Sequence, residues 1–256
     1  MRAMKLVRNL AIPVLVLAAW QIAGQTGAIS DYFSYPSQIA LAFQELVVSG
    51  EMGTHFIASA YRAYGGFAIG ATLGVLIGIA AGRYRPVRSF FEPLVSLLYP
   101  IPKIAFLPII VLWLGLGHGS KIAIISISVF FPTFLAAFYA AQAVEQVYVW
   151  SARSMGARGG RVFFRVVLPA ALPQIFAGLR VGLALAFIVL FAAELMGARA
   201  GLGFLIVDAE EGIRFDIMFA GIFAIAIIGF VSDRLLLLLR RRLLRGQLLS
   251  TQDGGF

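Results

Sequence analysis

The sequence predicts an all-α, polytopic membrane helical bundle with about six transmembrane helices and both termini cytoplasmic. Three observations carry this: the composition, the unbroken apolar segments and the sorting of basic residues. Of the 256 residues, 61% are hydrophobic and 13% charged, and the mean hydropathy is +0.92. A soluble domain carries roughly 45–50% apolar and about 25% charged residues. So oily a chain cannot keep a water-facing surface, and it lacks the charge that intrinsic disorder needs. The absence of cysteine excludes a disulfide framework, a thiolate metal site and an iron–sulfur centre.

A helix needs roughly 20 mostly apolar residues to cross about 30 Å of hydrocarbon. Six segments qualify, at 6–23, 60–81, 94–114, 122–141, 171–196 and 217–239, so that 1–256 reads as a single transmembrane domain. The apolar runs are continuous rather than alternating, which argues against a barrel. The first segment has the basic residues and small-residue tail of a signal peptide. Gln21 and Gln25 make a poor cleavage region, so it is read as a retained helix.

The loops then sort by charge. Arg2, Lys5 and Arg8 precede the first span; Arg83, Arg85 and Arg88 follow the second. Arg153, Arg158, Arg161 and Arg165 lie between the fourth and fifth, and Arg240, Arg241, Arg242 and Arg245 follow the sixth. The opposite side has only Lys121, Arg199 and Arg214, together with Asp31, Glu45, Glu51, Asp208, Glu210, Glu211 and Asp216. Basic loops stay cytoplasmic, so the net charge of +9 reports topology. No basic stripe with interleaved aromatics lies in a polar segment, and nucleic acid is not a predicted partner.

Spacing inside the spans adds detail. Gly66, Gly70, Gly74, Gly78 and Gly82 recur every four residues and draw a side-chain-free stripe along one helix face. Such stripes let helices approach closely in lipid, where packing drives association. Pro100, Pro102 and Pro108 interrupt the third span. Each removes a backbone donor and bends the chain before it, and freed carbonyls at membrane depth belong inside protein or beside water. Pro100, Pro102 and Lys103 are therefore candidate pathway residues, the alternative being a plain kink, with Lys103 placed to snorkel to the interface. Arg62, Arg180, Glu194 and Asp233 fall near predicted helix ends and read as interfacial anchors or structural ion pairs. Glu194 is the most deeply placed and joins the pathway candidates.

The stretch between the fourth and fifth spans is longer than a membrane hairpin needs. Residues 145–155 have the pattern of a short amphipathic helix, and Gly156 suits the left-handed residue that ends one. A second short helical run, 161–168, is expected to stop at Pro169. The result is a basic helix–turn–helix elbow with Val149, Met155 and Phe163 predicted exposed, a shape suited to docking a partner in the cytosol.

These residues resemble the inner-membrane permease subunit of ATP-binding-cassette (ABC) importers that depend on a substrate-binding protein. That family is marked by a loop reading Glu-Ala-Ala, three residues, Gly, nine residues, Ile, any residue, Leu-Pro. Here Trp150, Ser151 and Ala152 are followed after three residues by Gly156, and after nine more by Val166, Val167, Leu168 and Pro169. The departures are Trp150 for Glu, Ser151 for Ala and Val166 for Ile. The run 102–117 and the run from Ala193 to Gly203 are similar to the subgroup that imports nitrate, sulfonates, taurine and pyrimidine vitamin precursors. The resemblance implies an ATPase-coupling loop at about 145–169 that includes Glu145, Trp150, Ser151, Ala152, Arg153, Gly156, Ala157, Arg158, Leu168 and Pro169. It also implies two separate ATPase subunits that bind ATP and Mg, an extracytoplasmic substrate-binding protein and a second copy of the permease in a bacterial inner membrane.

No chemistry is expected in this chain. Residues 115–121 lack the Gly-Lys-Ser/Thr ending of a phosphate loop, and His55 and His118 are too few and too far apart in sequence for a metal or catalytic site. The rival reading is a secondary transporter driven by an ion gradient. It predicts matching interrupted helices in the two halves, and the proline break of span three has no counterpart in span six.

Overall fold

The computed structural model describes residues 2–30, 32–144 and 146–244, and their regular structure is all helical, with no strand among them. The elements run α1 (Arg2–Gln25), α2 (Pro36–Val48), α3 (Glu51–Arg83), α4 (Arg85–Leu98), a 3₁₀ turn (Lys103–Phe106), α5 (Leu107–Leu114), α6 (His118–Ala143) and α7 (Gln146–Ser154). Then follow α8 (Gly160–Val162), a π turn (Phe163–Val167), α9 (Leu168–Leu195), α10 (Leu202–Glu211) and α11 (Phe215–Leu243). Four stretches are long and apolar enough to cross a membrane: α3, α6, Gly160–Leu195 and α11. A fifth would be α4 with Lys103–Leu114, which are bent by 92°. Ala11–Gln25 is apolar but shorter.

The chain divides into two compact units. The first comprises residues 1–59 and 197–226. There Gln21 clasps the start of α2: its Nε2 donates to Ser37 Oγ (2.9 Å), and its Oε1 accepts the Ser37 N–H (3.0 Å). The start of α10 is capped by α3. His55 Nδ1 accepts the Gly201 N–H (3.1 Å) and Ser59 Oγ accepts the Leu202 N–H (2.7 Å). A helix N-terminus leaves such donors unmet unless a side chain supplies the acceptor. This explains why α3 begins at Glu51, nine residues before the span expected at 60. Its polar first turns find partners in the fold, so the helix does not end where hydropathy does.

The second unit comprises residues 60–196 and 227–256, and α6 is its core. The glycine stripe of α3 lies on α6. A methyl group built on Gly66 would meet Ile125, on Gly70 the Ser126 carbonyl, on Gly78 the Phe134 carbonyl and on Gly82 Ala141. On the other side of α6, a methyl group built on Gly178 of α9 would lie 2.2 Å from Ala136, and one on Gly182 3.1 Å from Val129. Small residues on α3 and α9 thus bring three backbones together, which is how helices associate where lipid offers no hydrophobic drive.

Candidate coupling elbow and translocation path

The elbow is built by a helix stop. α7 closes on Gly156, whose φ of +83° is the left-handed conformation that a Cβ disfavours. The Gly156 N–H donates to the Arg153 carbonyl (2.9 Å) and the Ala157 N–H to the Ala152 carbonyl (2.9 Å). Together these bonds form a Schellman C-cap. Below it Val144, Val149, Ala152, Val162 and Val167 make a small apolar core of the elbow's own. Outward it presents Trp150 (61% exposed), Met155 (81%), Arg153 and Arg158. An open groove of about 510 Å³ between the end of α3 and the elbow is lined by Arg83, Tyr84, Arg153 and Phe163 among others.

Two expectations are corrected here. Val149 is fully buried in the elbow core and Phe163 packs against it, so that only Met155 of the predicted exposed trio faces outward. Helix formation does not stop at Pro169 but runs on from Gly160 to Leu195. The π turn makes this feasible: the Leu168 N–H donates to Phe163, five residues back, which resets the ladder just before the proline that cannot donate. Glu145 lies outside the described residues.

The proline break forms a second site. Lys103 turns back into the chain instead of snorkelling, and its Nζ donates to the carbonyls of Leu98 (3.0 Å), Tyr99 (2.5 Å) and Ile101 (2.9 Å). In an unbroken helix the Leu98 carbonyl would accept from residue 102, a proline without a donor. That carbonyl accepts the Ile101 N–H instead (3.2 Å), and the ammonium adds a second donor at the negative end of α4, 4.4 Å from the Phe131 ring centroid. Pro100, Pro102 and Lys103 share a cavity of about 530 Å³ with Ser128, Phe131 and Ile188. Glu194 does not line it.

Glu194 belongs to a buried charge cluster instead. Arg62 Nη1 donates to Glu194 Oε1 (2.6 Å), and both side chains are buried. Arg62 Nε donates to His118 Nδ1 (3.1 Å). Buried Lys121 donates to the Leu116 carbonyl (2.8 Å). The cluster ties α3, the start of α6 and the end of α9 together. The sequence places Arg62 and Glu194 near predicted helix ends as interfacial anchors or structural ion pairs, without naming either as the other's partner. Their opposite signs on two predicted spans were the one available hint of a pair. Among the described residues no group of three or more His, Asp or Glu could hold a metal ion.

Residues 70–245 match the family described as the binding-protein-dependent transport system inner membrane component. This chain belongs to that family. It is 36% identical over 239 residues to the protein of Bacillus subtilis (strain 168) named as the aliphatic sulfonates transport permease protein SsuC, with 93% of this chain and 87% of the relative covered. It is 36% identical over 236 residues to the taurine transport system permease protein TauC of Escherichia coli (strain K12), covering 90% and 86%. The nitrate import permease protein NrtB of Synechocystis sp. is 28% identical over 237 residues, covering 90% and 86%. The fold is similar to a chain of the methionine ABC transporter MetNI, solved in inward-facing conformations, at a TM-score of 0.57 and 18% identity over 78% of this chain and 97% of that one. This permease is thus a multi-pass inner-membrane component of an ABC importer and not an enzyme, and it groups with relatives named for sulfonate, taurine and nitrate transport. The matched stretch of the permease contains the elbow, the proline break and most of the glycine stripe.

Proposed function

We propose that this permease forms the translocation path for a small oxyanion-bearing solute of the sulfonate, taurine or nitrate type, and that residues 145–169 are the handle by which separate ATPase subunits move it. Two copies of the chain enclose the path, and both termini and the elbow face the cytoplasm. Two ATPase subunits carry the ATP and Mg, and an extracytoplasmic protein delivers the solute. The single observation that supports this most is the Schellman-capped elbow with its own apolar core, which presents Trp150, Met155 and Arg158 outward on a rigid base. ATP drives such a machine only if the ATPase arrangement it favours fits one elbow geometry better than the other.

The test is Gly156→Val in the transporter reconstituted with its ATPase and binding protein. A β-branched residue held at this φ costs about 1–3 kcal/mol of local strain, spent on a two-helix elbow and not on the membrane core. The variant is expected to assemble in the membrane and hydrolyse ATP while solute uptake falls at least tenfold. Normal uptake by Gly156→Val, or uptake by the wild-type chain alone down an imposed proton or sodium gradient, would overturn the proposal.

A further inference from the structure

Arg180 and Asp233 form a bidentate ion pair on α9 and α11: Arg180 Nε donates to Asp233 Oδ1 (2.6 Å) and Nη2 to Oδ2 (3.1 Å). Two features make it unusual. The first is depth. The next charged residues on its own helical stretch are Arg165 and Glu194, about 22 Å and about 21 Å away at 1.5 Å per residue. Asp233 is about 10 Å along α11 from Arg240, the first of the terminal arginines. The second is exposure: the Arg180 side chain is 55% accessible and that of Asp233 25%. Charges at such depth face a bundle interior or water and not lipid. Snorkelling does not rescue this one, because both anchored nitrogens hold the guanidinium on Asp233. Arg180 Nη1 makes no hydrogen bond among the described residues, so part of the fork remains available to another acceptor. Exposed Arg234, stacked on Phe230 (4.7 Å), and the Tyr64–Ser232 hydroxyl pair (2.7 Å) add polar groups beside it.

We infer that this pair lines the water-filled path and that the free edge of Arg180 is a passage site for the solute's oxyanion, Asp233 holding the fork in place. The inference rests on the proposed transport role. A guanidinium edge matches two oxygens of a sulfonate or nitrate group. Asp233 offsets one of the two positive charges of Arg180 and Arg234, which weakens the site's hold so that the anion is passed on and not trapped. Arg180 is then a specificity-determining residue of the path.

The experiment uses the assembled transporter in vesicles, with taurine and nitrate as probes. Arg180→Cys is expected to react with a membrane-impermeant thiol reagent, and the reaction to slow when ATP with vanadate holds the transporter in one state. Arg180→Gln is expected to cut uptake at least tenfold while binding-protein-stimulated ATP hydrolysis stays within twofold, and Arg180→Lys to restore part of the uptake. An unreactive Arg180→Cys together with normal uptake by Arg180→Gln would overturn the inference and assign the pair to a protein–protein contact. Equal loss of uptake and hydrolysis in Arg180→Gln, with uptake restored by the reversed pair Arg180→Asp/Asp233→Arg, would reduce it to a structural brace. The wild-type control separates the two readings: if its own uptake does not need ATP, the transport proposal fails before the passage site is tested.

Discussion

Replacing Gly74 with alanine adds a single methyl group, and the structure says what that group would meet. Its Cβ would lie 2.0 Å from Thr133 Oγ1, 2.8 Å from the Phe130 carbonyl oxygen and 3.0 Å from the Phe134 nitrogen. Thr133 cannot simply swing aside, because its hydroxyl lies 2.8 Å from the Val129 carbonyl and 3.0 Å from that of Phe130, either of which it can donate to. The two backbone atoms cannot move without parting α3 from α6. Overfilling a packed site costs about 1–3 kcal/mol, against a helix-propensity gain of about 1 kcal/mol on losing glycine. Gly74→Ala should therefore be up to about 2 kcal/mol less stable, up to about a 30-fold shift toward the unfolded state, and Gly74→Leu worse. Gly53 in the same helix is the control, since an added Cβ there meets nothing within 4 Å. Gly53→Ala should gain up to about 1 kcal/mol. Thr133→Ala should partly rescue Gly74→Ala by removing the nearest atom while leaving the Phe130 carbonyl. Thermal unfolding in detergent reads all four. If Gly74→Ala is as stable as Gly53→Ala, α3 does not pack on α6 in this register.

Other consequences follow from single contacts. Removing one member of the Arg62–Glu194 pair unbalances a buried charge cluster that also holds Lys121, so Arg62→Met or Glu194→Leu should each be destabilising, by up to about 3–5 kcal/mol. The double variant should recover much of that, whereas additive losses in the double-mutant cycle would refute the pairing. Lys103→Met removes the donor shared by three carbonyls, with an unmet group costing about 1–3 kcal/mol. Faster protease cutting at residues 98–106 should result, and an unchanged digestion pattern would deny the ammonium its capping role. Arg158→Cys should be labelled only by reagents that reach the cytosol, and labelling from outside would reverse the proposed topology.

What the sequence made legible was whatever repeats along one helix or acts within a few residues. The i+4 glycines lie on one face of any helix, so their packing role could be read before their partner was known. Gly156 could be read because a left-handed C′ residue is a local demand of the turn. Val149 could not be, since α7 has nine residues, too few for the periodicity to separate a buried face from an exposed one. Pro169 does not end the helix because the helix-stop rule assumes an α-helical ladder, and a π turn sidesteps it. Arg62 with Glu194, separated by 132 residues, and Arg180 with Asp233, separated by 53, meet only through tertiary packing. Hydropathy could bring each residue to a span but not to its partner.

The geometry also constrains how a push on the elbow could travel. From Gly160 to Leu195 the chain is one helical stretch of 36 residues, about 54 Å long at 1.5 Å per residue. Its near end shares the elbow core with α7 and with Val144 just past α6, and its far end is held by the Arg62–Glu194 pair. Between them, Gly178 and Gly182 press α9 onto α6 so closely that an added methyl on Gly178 would lie 2.2 Å from Ala136. Packed cores have discrete arrangements and do not deform smoothly, so α6 and α9 should tilt together and not slide. The compliance must then lie where the backbone ladder is already open. One such place in the second unit is the 92° bend between α4 and the Lys103–Leu114 segment, where one flexible ammonium donates to three carbonyls. The cavity shared by Pro100, Pro102 and Lys103 lies against α6 and α9 at that bend. Under the proposed coupling, a tilt imposed at the elbow would change the size of this cavity first, without breaking any helix along the way.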